Sequence, residues 1–210
     1  MDVETLRREA EAPVVAGPGD VEAVAADLSD AFADDVMFDW FLRDDKRRDA
    51  ARANFFRFVI ANMAVGVGRI ERPASGGAAA VWLPFEAVGP TPLPMLIRAA
   101  PTILAATGFG RALRLLALME DMDRHHPMDR PHAYLWFLGV ARVAQGRGIG
   151  SRLLKVATDR LDEQRLPAYL ETQTERNVAL YNRHGFEVIS EHRPQPKAPQ
   201  LWSMWREPQA

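Results

Sequence analysis

The sequence predicts one α/β domain in which a mixed β-sheet carries helices on both faces. The chain has 210 residues, a usual length for one such domain. Hydrophobic residues make up 48% and charged residues 26%, which is typical of a globular protein with a full core. Short apolar runs of strand length alternate with segments of helical apolar spacing, most clearly after His132. We therefore expect a single domain over residues 1–210.

Composition narrows the class of protein further. The chain has no cysteine, which excludes disulfides, thiolate metal sites and a cysteine nucleophile and favours a reducing compartment. A formal net charge of −2 gives no global attraction to nucleic acid or anionic lipid. Residues 1–11 are too charged for a secretory signal, and no later window reaches about 20 uninterrupted apolar residues. We expect a cytoplasmic protein with neither nucleic-acid nor membrane partners.

The first third of the chain predicts a short strand and two helices. Residues 1–12 are polar, and we expect a flexible N-terminal segment there. A strand at 13–16 ends at a Gly-Pro-Gly turn, and apolar residues then recur at helical spacing over 21–32. A second helix is expected over 46–65. The aromatic and acidic stretch 34–45 is expected to be a connection.

The middle of the chain predicts a β-hairpin and then a variable segment. Residues 68–71 and 78–85 flank a Pro-Ala-Ser-Gly-Gly sequence, which is strong turn chemistry. Residues 90–127 hold several early prolines and two glycines, and only 111–124 is expected to form a helix.

The last third gives the clearest pattern. An unbroken apolar run at 134–140 is typical of a strand covered on both faces. A helix, a strand, a helix and two closing strands are then expected at 148–164, 168–172, 177–184, 186–190 and 201–205.

A glycine-rich turn joins the strand at 134–140 to the following helix. It reads Gln145-Gly146-Arg147-Gly148-Ile149-Gly150-Ser151. Glycines let the backbone approach an anion closely, and the free N–H groups and dipole of a helix start favour negative charge there. Arg147 adds a positive charge. The segment therefore predicts an anion-binding cradle.

The spacing of the glycines distinguishes between the nucleotide-binding motifs that could explain this cradle. A Walker loop requires a Gly-Lys-Ser/Thr ending, which is absent. A dinucleotide fingerprint requires Gly-x-Gly-x-x-Gly, whereas the glycines here stand at 146, 148 and 150. Another phosphate- or nucleotide-binding protein with such a loop, and a glycine turn without a ligand, remain as alternatives.

The turn resembles the Gln/Arg-x-x-Gly-x-Gly/Ala pyrophosphate-binding motif of the GNAT superfamily of N-acetyltransferases. The likeness continues through Tyr169-Leu170-Glu171-Thr172, Glu175-Arg176-Asn177 and Tyr181-Asn182-Arg183-His184-Gly185-Phe186. Within the superfamily, the sequence resembles puromycin N-acetyltransferase-like bacterial proteins, also through Trp202-x-Met204.

The resemblance implies the GNAT fold. Its central sheet is twisted, mixed and mostly antiparallel, with about seven strands, helices on both faces and a splay between the fourth and fifth strands. Residues 133–206 would form the cofactor-binding and catalytic half, because the likeness is strongest there.

The resemblance also implies acetyl-CoA as the cofactor. Backbone groups of Leu138, Gly139 and Val140 would bind the pantetheine arm as an added strand. The pyrophosphate would bind the turn residues Gln145, Gly146, Arg147, Gly148, Ile149, Gly150 and Ser151. Asn177 would hydrogen-bond the arm, although a helix N-cap explains this residue equally well.

Gly139 has two interpretations of its own. A glycine inside a bulky strand often marks a bulge or a close backbone approach, and a bulge here would splay the central strands. Accommodation of a packed neighbour is the alternative.

Two residues are assigned to catalysis. In the family that the sequence resembles, the tyrosine matching Tyr181 lies near the CoA sulfur and assists its departure as a thiolate; anchoring of its helix to the core is the alternative.

The acceptor must lose a proton, and for a lysine-like amine at pH 7 the neutral form costs about 4.6 kcal/mol. A general base would help. Glu171, on the strand beside the cofactor cleft, is the first candidate.

Other candidates lie in the variable middle and among the aromatic residues. Further bases to consider are Glu120, Asp123, His125 and His126. We expect no metal site, because the nearby histidines lack a His-x-x-x-His spacing. Candidates for an aromatic acceptor pocket, most of them expected in the core, are Phe38, Trp40, Phe41, Trp82 and Trp136. The methionines expected to act as packing are Met95, Met119 and Met122.

These features together predict an acetyl-CoA-dependent N-acetyltransferase that acts on the primary amine of a small molecule by direct attack. The alternatives are a CoA-binding sensor or interaction protein without turnover, and a protein N-acetyltransferase. The sequence does not identify the amine, and a homodimer is compatible with it.

Overall fold

The computed structural model describes residues 2–209 and contains one seven-stranded sheet. The strands in chain order are β1 (Val14–Val15), β2 (Arg69–Arg72), β3 (Ala78–Pro84), β4 (Ala133–Val140), β5 (Ala168–Thr172), β6 (Glu187–His192) and β7 (Leu201–Arg206). Their order in the sheet is β1-β2-β3-β4-β5-β7-β6. Within residues 2–209, only β4 and β5 pair in parallel. The predicted mixed, mostly antiparallel sheet is confirmed.

Helices cover both faces of this sheet, as predicted. They are α1 (Val3–Glu11), α2 (Val21–Ala31), α3 (Val36–Phe41), α4 (Arg48–Val59), α5 (Leu93–His125), α6 (Ile149–Glu163) and α7 (Glu175–Asn182). The core on one face is built from α2 to α5 and includes Phe56 and Tyr169. The core on the other face includes Leu6 of α1, Leu153 of α6 and Tyr181 of α7.

The two central strands separate where β4 contains an extra residue. Val81 pairs with Phe137 and Trp82 with Leu135, so Trp136 is the bulged residue. The parallel pairing of β4 with β5 ends at Leu135 and Leu170. The predicted splay is confirmed, but its bulge lies at Trp136 and not at Gly139.

The N-terminal segment 1–12 was expected to be flexible, and this prediction is wrong for the residues described. Asp2 caps α1 by accepting hydrogen bonds from the backbone N–H groups of Glu4 and Thr5. Leu6 and Ala10 lie one helical turn apart and are fully buried. Two apolar residues among many charges gave too weak a pattern to indicate an anchored helix.

The sequence analysis did not predict α3, and it predicted only the second part of α5. Residues 34–45 contain α3, which Asp35 caps through the N–H groups of Met37 and Phe38. The helix expected at 111–124 is the second part of α5, which begins at Leu93 and is interrupted at Gly108 (φ 64°, ψ 172°). Prolines near the start of α5 hid its first half, since proline is tolerated in a first helical turn.

By length and composition, α5 is apolar enough to cross a membrane. Its most apolar 18-residue window has a mean hydropathy of 1.3, and 22% of that window is buried. The helix is broken at Gly108 and packs against α3 and α4. The absence of membrane association therefore stays a prediction.

Candidate active site

A cavity of about 230 Å³ opens where β4 and β5 diverge. Its floor is formed by residues 134–138 of β4 and by Glu171 and Thr172 of β5, and α7 contributes Asn177 and Tyr181. Helices α3, α4 and α5 supply aromatic residues and methionines to the remaining wall. The only carboxyl groups among its lining residues in 2–209 are those of Asp35 and Glu171. The cavity is therefore an apolar space with few polar groups.

The glycine-rich turn has the backbone shape that an anion cradle needs. Gly146 (φ 73°) and Gly148 (φ 79°) are left-handed, and α6 begins directly after Gly148. The first N–H groups of a helix have no intrahelical acceptor, so those of α6 are free to bind an anion. A Cβ atom at Gly148 would lie 2.7 Å from Arg152 Nη1. The turn thus fits a bound pyrophosphate, and its left-handed backbone at Gly146 and Gly148 favours glycine.

Neighbouring elements hold this turn in place. The Arg7 guanidinium of α1 donates to the carbonyl oxygen of Arg147 over 2.9 Å, and Glu11 pairs with Arg152 at 2.8 Å. The Gln145 side-chain amide donates to the carbonyl oxygen of Val140 over 3.0 Å. Gln145 thus fixes the turn to β4, while the Arg147 side chain is exposed.

The remaining turn residues divide by environment. Ile149 is buried beneath the start of α6, and the Ser151 hydroxyl lies 2.7 Å from Nε2 of His184. A Cβ atom at Gly150 would contact Val140 and Leu138 at ordinary van der Waals distances, so this glycine lies against the end of β4. These contacts connect the turn to the strand edge that precedes it.

Beyond the splay, β4 has no strand partner on the side of β5. Leu138, Gly139 and Val140 pair with Ala80, Ala79 and Ala78 of β3, but the structure gives them no partner on β5. A free strand edge can bind an extended chain through backbone hydrogen bonds. The geometry therefore fits a pantetheine arm.

Gly139 owes its identity to packing. A Cβ atom there would lie 2.7 Å from Leu28 Cδ2 and 2.9 Å from Ala31 Cβ of α2. The alternative, accommodation of a packed neighbour, is supported, because side chains of α2 pack directly on β4 at this point.

Helix α7 carries the two predicted cofactor-facing residues. Thr174 is its N-cap and accepts from the backbone N–H of Asn177, so the N-cap interpretation of Asn177 is wrong. The side chains of Asn177 and Tyr181 both line the cavity. Tyr181 packs edge-on against Phe186, and burial raises the pKa of its hydroxyl well above the usual range. The hydroxyl therefore stays protonated at neutral pH and is a donor.

Glu171 is the most strongly perturbed acid in the cavity. Its side chain is only 4% exposed. Burial raises the pKa of Glu171 to about 7, partly opposed by the neighbouring Tyr134 and Tyr169 hydroxyls. Its Oε1 atom has no hydrogen-bond partner among residues 2–209. A carboxyl group with a pKa near neutrality is suited to proton transfer at physiological pH.

The other candidate bases lie outside the lining of the cavity. Glu120 pairs with Arg124 on the surface. Burial, reinforced by the neighbouring His132, lowers the pKa of His126 to about 4, so His126 is neutral at physiological pH. The Nδ1 atom of His125 donates to the carbonyl oxygen of Asp121 over 2.8 Å. Asp123 is exposed at the surface, and partial desolvation of its carboxyl group raises its pKa.

Three residues of metal-ligating type, Asp121, His125 and His192, lie close together. The two imidazole rings stack with centroids 3.8 Å apart and an interplanar angle of 13°. A metal ion lies near the plane of each imidazole that binds it, and stacked rings do not share a plane. This arrangement does not fit a metal ion, and the expectation of no metal stays a prediction.

Phe38, Phe41 and Trp82 are core residues, as expected for most of the aromatic candidates, and Met119 and Met122 pack against the core. Phe38, Phe41 and Trp136 also line the cavity, whereas Trp82 lies on the opposite face of the sheet. Trp40 packs beneath the guanidinium of Arg114. The three methionines expected to be packing, Met95, Met119 and Met122, all line the cavity. Sequence analysis missed Asp35, whose carboxylate caps α3 and accepts from Gln173 at the end of β5.

A split sheet, an anion cradle at the start of α6, and a buried acid and phenol in one cleft define the GNAT class of fold. Residues 100–186 match the family model described as the acetyltransferase (GNAT) family. Among solved structures, the chain is similar to histone acetyltransferase HPA2 and related acetyltransferase from Corynebacterium glutamicum. The TM-score is 0.68 at 25% identity, over 94% of this chain and 97% of that one.

Two sequence relatives are acetyltransferases by name. The chain is 41% identical over 61 residues to mycothiol acetyltransferase of Jonesia denitrificans, covering 28% of this chain and 19% of that protein. It is 36% identical over 61 residues to 5-NmdU N-acetyltransferase of Pseudomonas phage PaMx11, covering 29% and 44%. The chain thus spans less than half the length of the curated relatives it matches. The family-model match covers less than half of the chain, and together with the relatives and the fold it supports similarity to GNAT acetyltransferases.

Proposed function

We propose that the protein transfers an acetyl group from acetyl-CoA to the primary amine of an apolar, monocationic small molecule. The observation that carries this proposal is Glu171, a carboxyl group with a pKa of about 7 in an apolar cavity at the splay of β4 and β5.

Glu171 is the general base of this proposal. A base whose pKa lies near the working pH combines a useful fraction of the carboxylate form with adequate proton affinity. The apolar wall helps, since burial lowers the pKa of a bound ammonium group and reduces the cost of its neutral form. Glu171 therefore receives the proton that the amine loses.

The chain also supplies a binding edge and a proton donor. When bound, acetyl-CoA supplies an acetyl thioester that is already activated toward attack by an amine. The edge of β4 at residues 138–140 holds an extended arm, and the turn at 145–151 holds its phosphates. A backbone N–H of Leu138 or Val140 stabilises developing negative charge on the acetyl oxygen. Tyr181 donates a hydrogen bond at the sulfur position.

The chemistry of the cavity favours one class of acceptor. Its wall consists largely of aromatic residues and methionines, and its carboxylates are those of Asp35 and Glu171. The carboxylate of Asp35 already accepts three hydrogen bonds from the protein, from Met37, Phe38 and Gln173. One carboxylate is then left for one ammonium group, which favours an aromatic monoamine over a polyamine.

The first experiment is isothermal titration with acetyl-CoA. We expect micromolar-range binding to the wild type and its loss in Gly148→Glu, which places bulk and negative charge in the cradle. Gly19→Glu is the matched control, because Gly19 is exposed with open space around its Cα. Absence of binding to the wild type, or equal binding by both variants, would contradict the cofactor assignment.

Acceptor choice is then measured by mass spectrometry of acetylated products. The panel contains 2-phenylethylamine, puromycin, putrescine and a short peptide with a free N-terminus. We expect the highest kcat/KM for 2-phenylethylamine or puromycin. A preference for the peptide would support a protein N-acetyltransferase, and binding without transfer to any amine would support a sensor.

A further inference from the structure

A second cavity, of about 360 Å³, lies away from the splay of β4 and β5. It forms where the start of β2, the end of β3 and the start of β4 meet the C-terminal end of α6. Within residues 2–209, it shares no lining residue with the cavity that contains Glu171. A molecule in the second cavity would therefore not occupy the space of the acceptor.

Much of the wall of this second cavity is apolar. Its apolar side chains include Leu83 and Phe85 near the end of β3, Pro131 before β4, and Leu161 and Leu166 near the end of α6. Small-molecule sites combine such walls with a few polar groups that fix the orientation of the ligand. The wall thus favours a ligand with an apolar body.

Trp82 brings an unpartnered hydrogen-bond donor to this cavity. The residue is only 3% exposed, and its Nε1 atom has no hydrogen-bond partner among residues 2–209. An indole N–H group can donate but cannot accept. Since a buried donor without an acceptor costs free energy, a ligand that accepts from Trp82 would be stabilised here.

Arg160 brings two more donors. Its Nε and Nη2 atoms are buried and have no hydrogen-bond partner in the part of the chain that the structure describes. These two atoms form one edge of the guanidinium group, whose parallel N–H bonds match the two oxygens of a carboxylate. The side chain is 25% exposed. Arg160 can therefore turn toward a ligand without breaking a hydrogen bond of Nε or Nη2.

Two guanidinium groups share one buried carboxylate beside this cavity. Oε1 of Glu71 accepts from Nε of Arg69 over 2.7 Å and lies 3.4 Å from Nε of Arg160. Arg69 and Arg160 line the cavity, whereas Glu71, whose Oε2 is also unpartnered, does not. The acid that lines the cavity is Glu86, which is exposed to water and therefore screened. The inner end of the cavity thus has an excess of one positive charge.

His132 lines the same cavity but has no free ring nitrogen. Its Nδ1 donates to the carbonyl oxygen of Arg130 over 3.0 Å, so its Nε2 is the acceptor of the 2.8 Å contact with Nε2 of His126. Burial lowers the pKa of His132, which keeps the ring neutral at pH 7. His132 therefore adds neither a charge nor a free donor to the cavity.

We propose that this second cavity binds a small monocarboxylate with an apolar body, held through its carboxylate by Arg160 and Trp82. All three unpartnered donors of these residues require an acceptor with several lone pairs, which a carboxylate supplies. Its single charge matches the excess of one positive charge, and the apolar wall covers the rest of the molecule. Phosphate has similar oxygens but no apolar body, so it distinguishes this ligand class from a general anion site.

NMR of the indole N–H groups tests the site directly. The chain has five tryptophans, so five indole signals are expected, and they can be assigned through bonds. We expect sodium phenylacetate to shift the Trp82 signal downfield in a saturable manner, because the indole N–H gains an acceptor. Absence of a saturable shift would overturn the site. Inorganic phosphate that binds as tightly as phenylacetate would overturn the assignment of the ligand class.

Arg160→Gln removes the paired N–H edge and the charge. We expect it to raise the Kd of phenylacetate at least about tenfold, and Arg160→Lys, which keeps only the charge, to restore part of the binding. Arg165→Gln is the matched control, because Arg165 is exposed just after α6 and does not line the cavity. Its Kd should stay within about twofold of the wild type. Equal binding by the wild type and Arg160→Gln would overturn the role of Arg160.

Competition with acetyl-CoA distinguishes the two cavities. Excess acetyl-CoA should leave the phenylacetate-dependent shift of Trp82 unchanged, since the cavities share no lining residue within residues 2–209. Displacement of phenylacetate by acetyl-CoA would place the acid in the other cavity and overturn the second site. These measurements need no turnover, so failure of the proposed acetyl transfer would not change their outcome.

Discussion

Nδ1 of His126 lies 3.9 Å from Oε1 of Glu171, and these two groups do not form an ion pair at neutral pH. His126 is neutral because burial lowers its pKa to about 4. The hydrogen bond between Nε2 of His126 and His132 leaves a lone pair on Nδ1 directed at the carboxyl group. Burial is therefore the main cause of the raised pKa of Glu171.

Ionisation of Glu171 should lower the free energy of unfolding at alkaline pH. The pKa of Glu171 is raised from 4.5 to about 7, so the folded state holds this proton more tightly than the unfolded state. The contribution of Glu171 is fully present below pH 4.5 and is lost as the pH rises through 7. The non-titrating Glu171→Gln variant should gain up to about 3 kcal/mol relative to the wild type between pH 4.5 and pH 8.

Urea unfolding at several pH values measures this difference. Glu120→Gln is the control, because its carboxylate is exposed and pairs with Arg124 on the surface. We expect the control to change the free energy of unfolding by less than about 1 kcal/mol at every pH. A pH-independent difference between the wild type and Glu171→Gln would contradict the raised pKa.

Tyr181→Phe should reduce turnover without loss of cofactor affinity. Burial raises the pKa of the Tyr181 hydroxyl, so full proton transfer to a thiolate is uphill and hydrogen bonding carries the effect. We expect kcat to fall on the order of 10²-fold, with acetyl-CoA binding by titration calorimetry unchanged. An unchanged kcat would show that Tyr181 only anchors α7 through Phe186.

Gly139→Ala should destabilise the fold. The added Cβ atom would lie 2.7 Å from Leu28 Cδ2 and 2.9 Å from Ala31 Cβ, which forces α2 away from β4. We expect a loss of about 1–3 kcal/mol in urea unfolding. Gly110→Ala, in the second part of α5 with open space around its Cα, should instead stabilise by about 0.5–1 kcal/mol. A neutral Gly139→Ala variant would contradict the close approach.

Elements with a local signal could be predicted from sequence. The strand β4, its glycine turn and α6 form one contiguous pattern, and their positions were predicted within a residue or two. Helix α1 has only Leu6 and Ala10 to bury, and Pro101 and Gly108 interrupt the pattern of α5. Tertiary packing stabilises these helices where local patterning does not.

The same distinction holds for the site, where features with a local sequence signal could be predicted and the others could not. The cradle could be predicted because its residues are consecutive, and Glu171 because it lies on the strand beside the cleft. The position of the bulge at Trp136 depends on the pairing register of β3 with β4, which sequence periodicity does not reveal.

The most direct test of the central claim is the pH dependence of kcat for acetylation of 2-phenylethylamine between pH 5.5 and 9, in the wild type and in Glu171→Gln. The account predicts that wild-type kcat rises with pH through an apparent pKa of about 7, as Glu171 becomes a carboxylate. In Glu171→Gln this rise of kcat with pH should disappear, and kcat should fall by at least about 10²-fold. A variant that keeps both the wild-type rate and the wild-type profile would contradict the role of Glu171 as the general base.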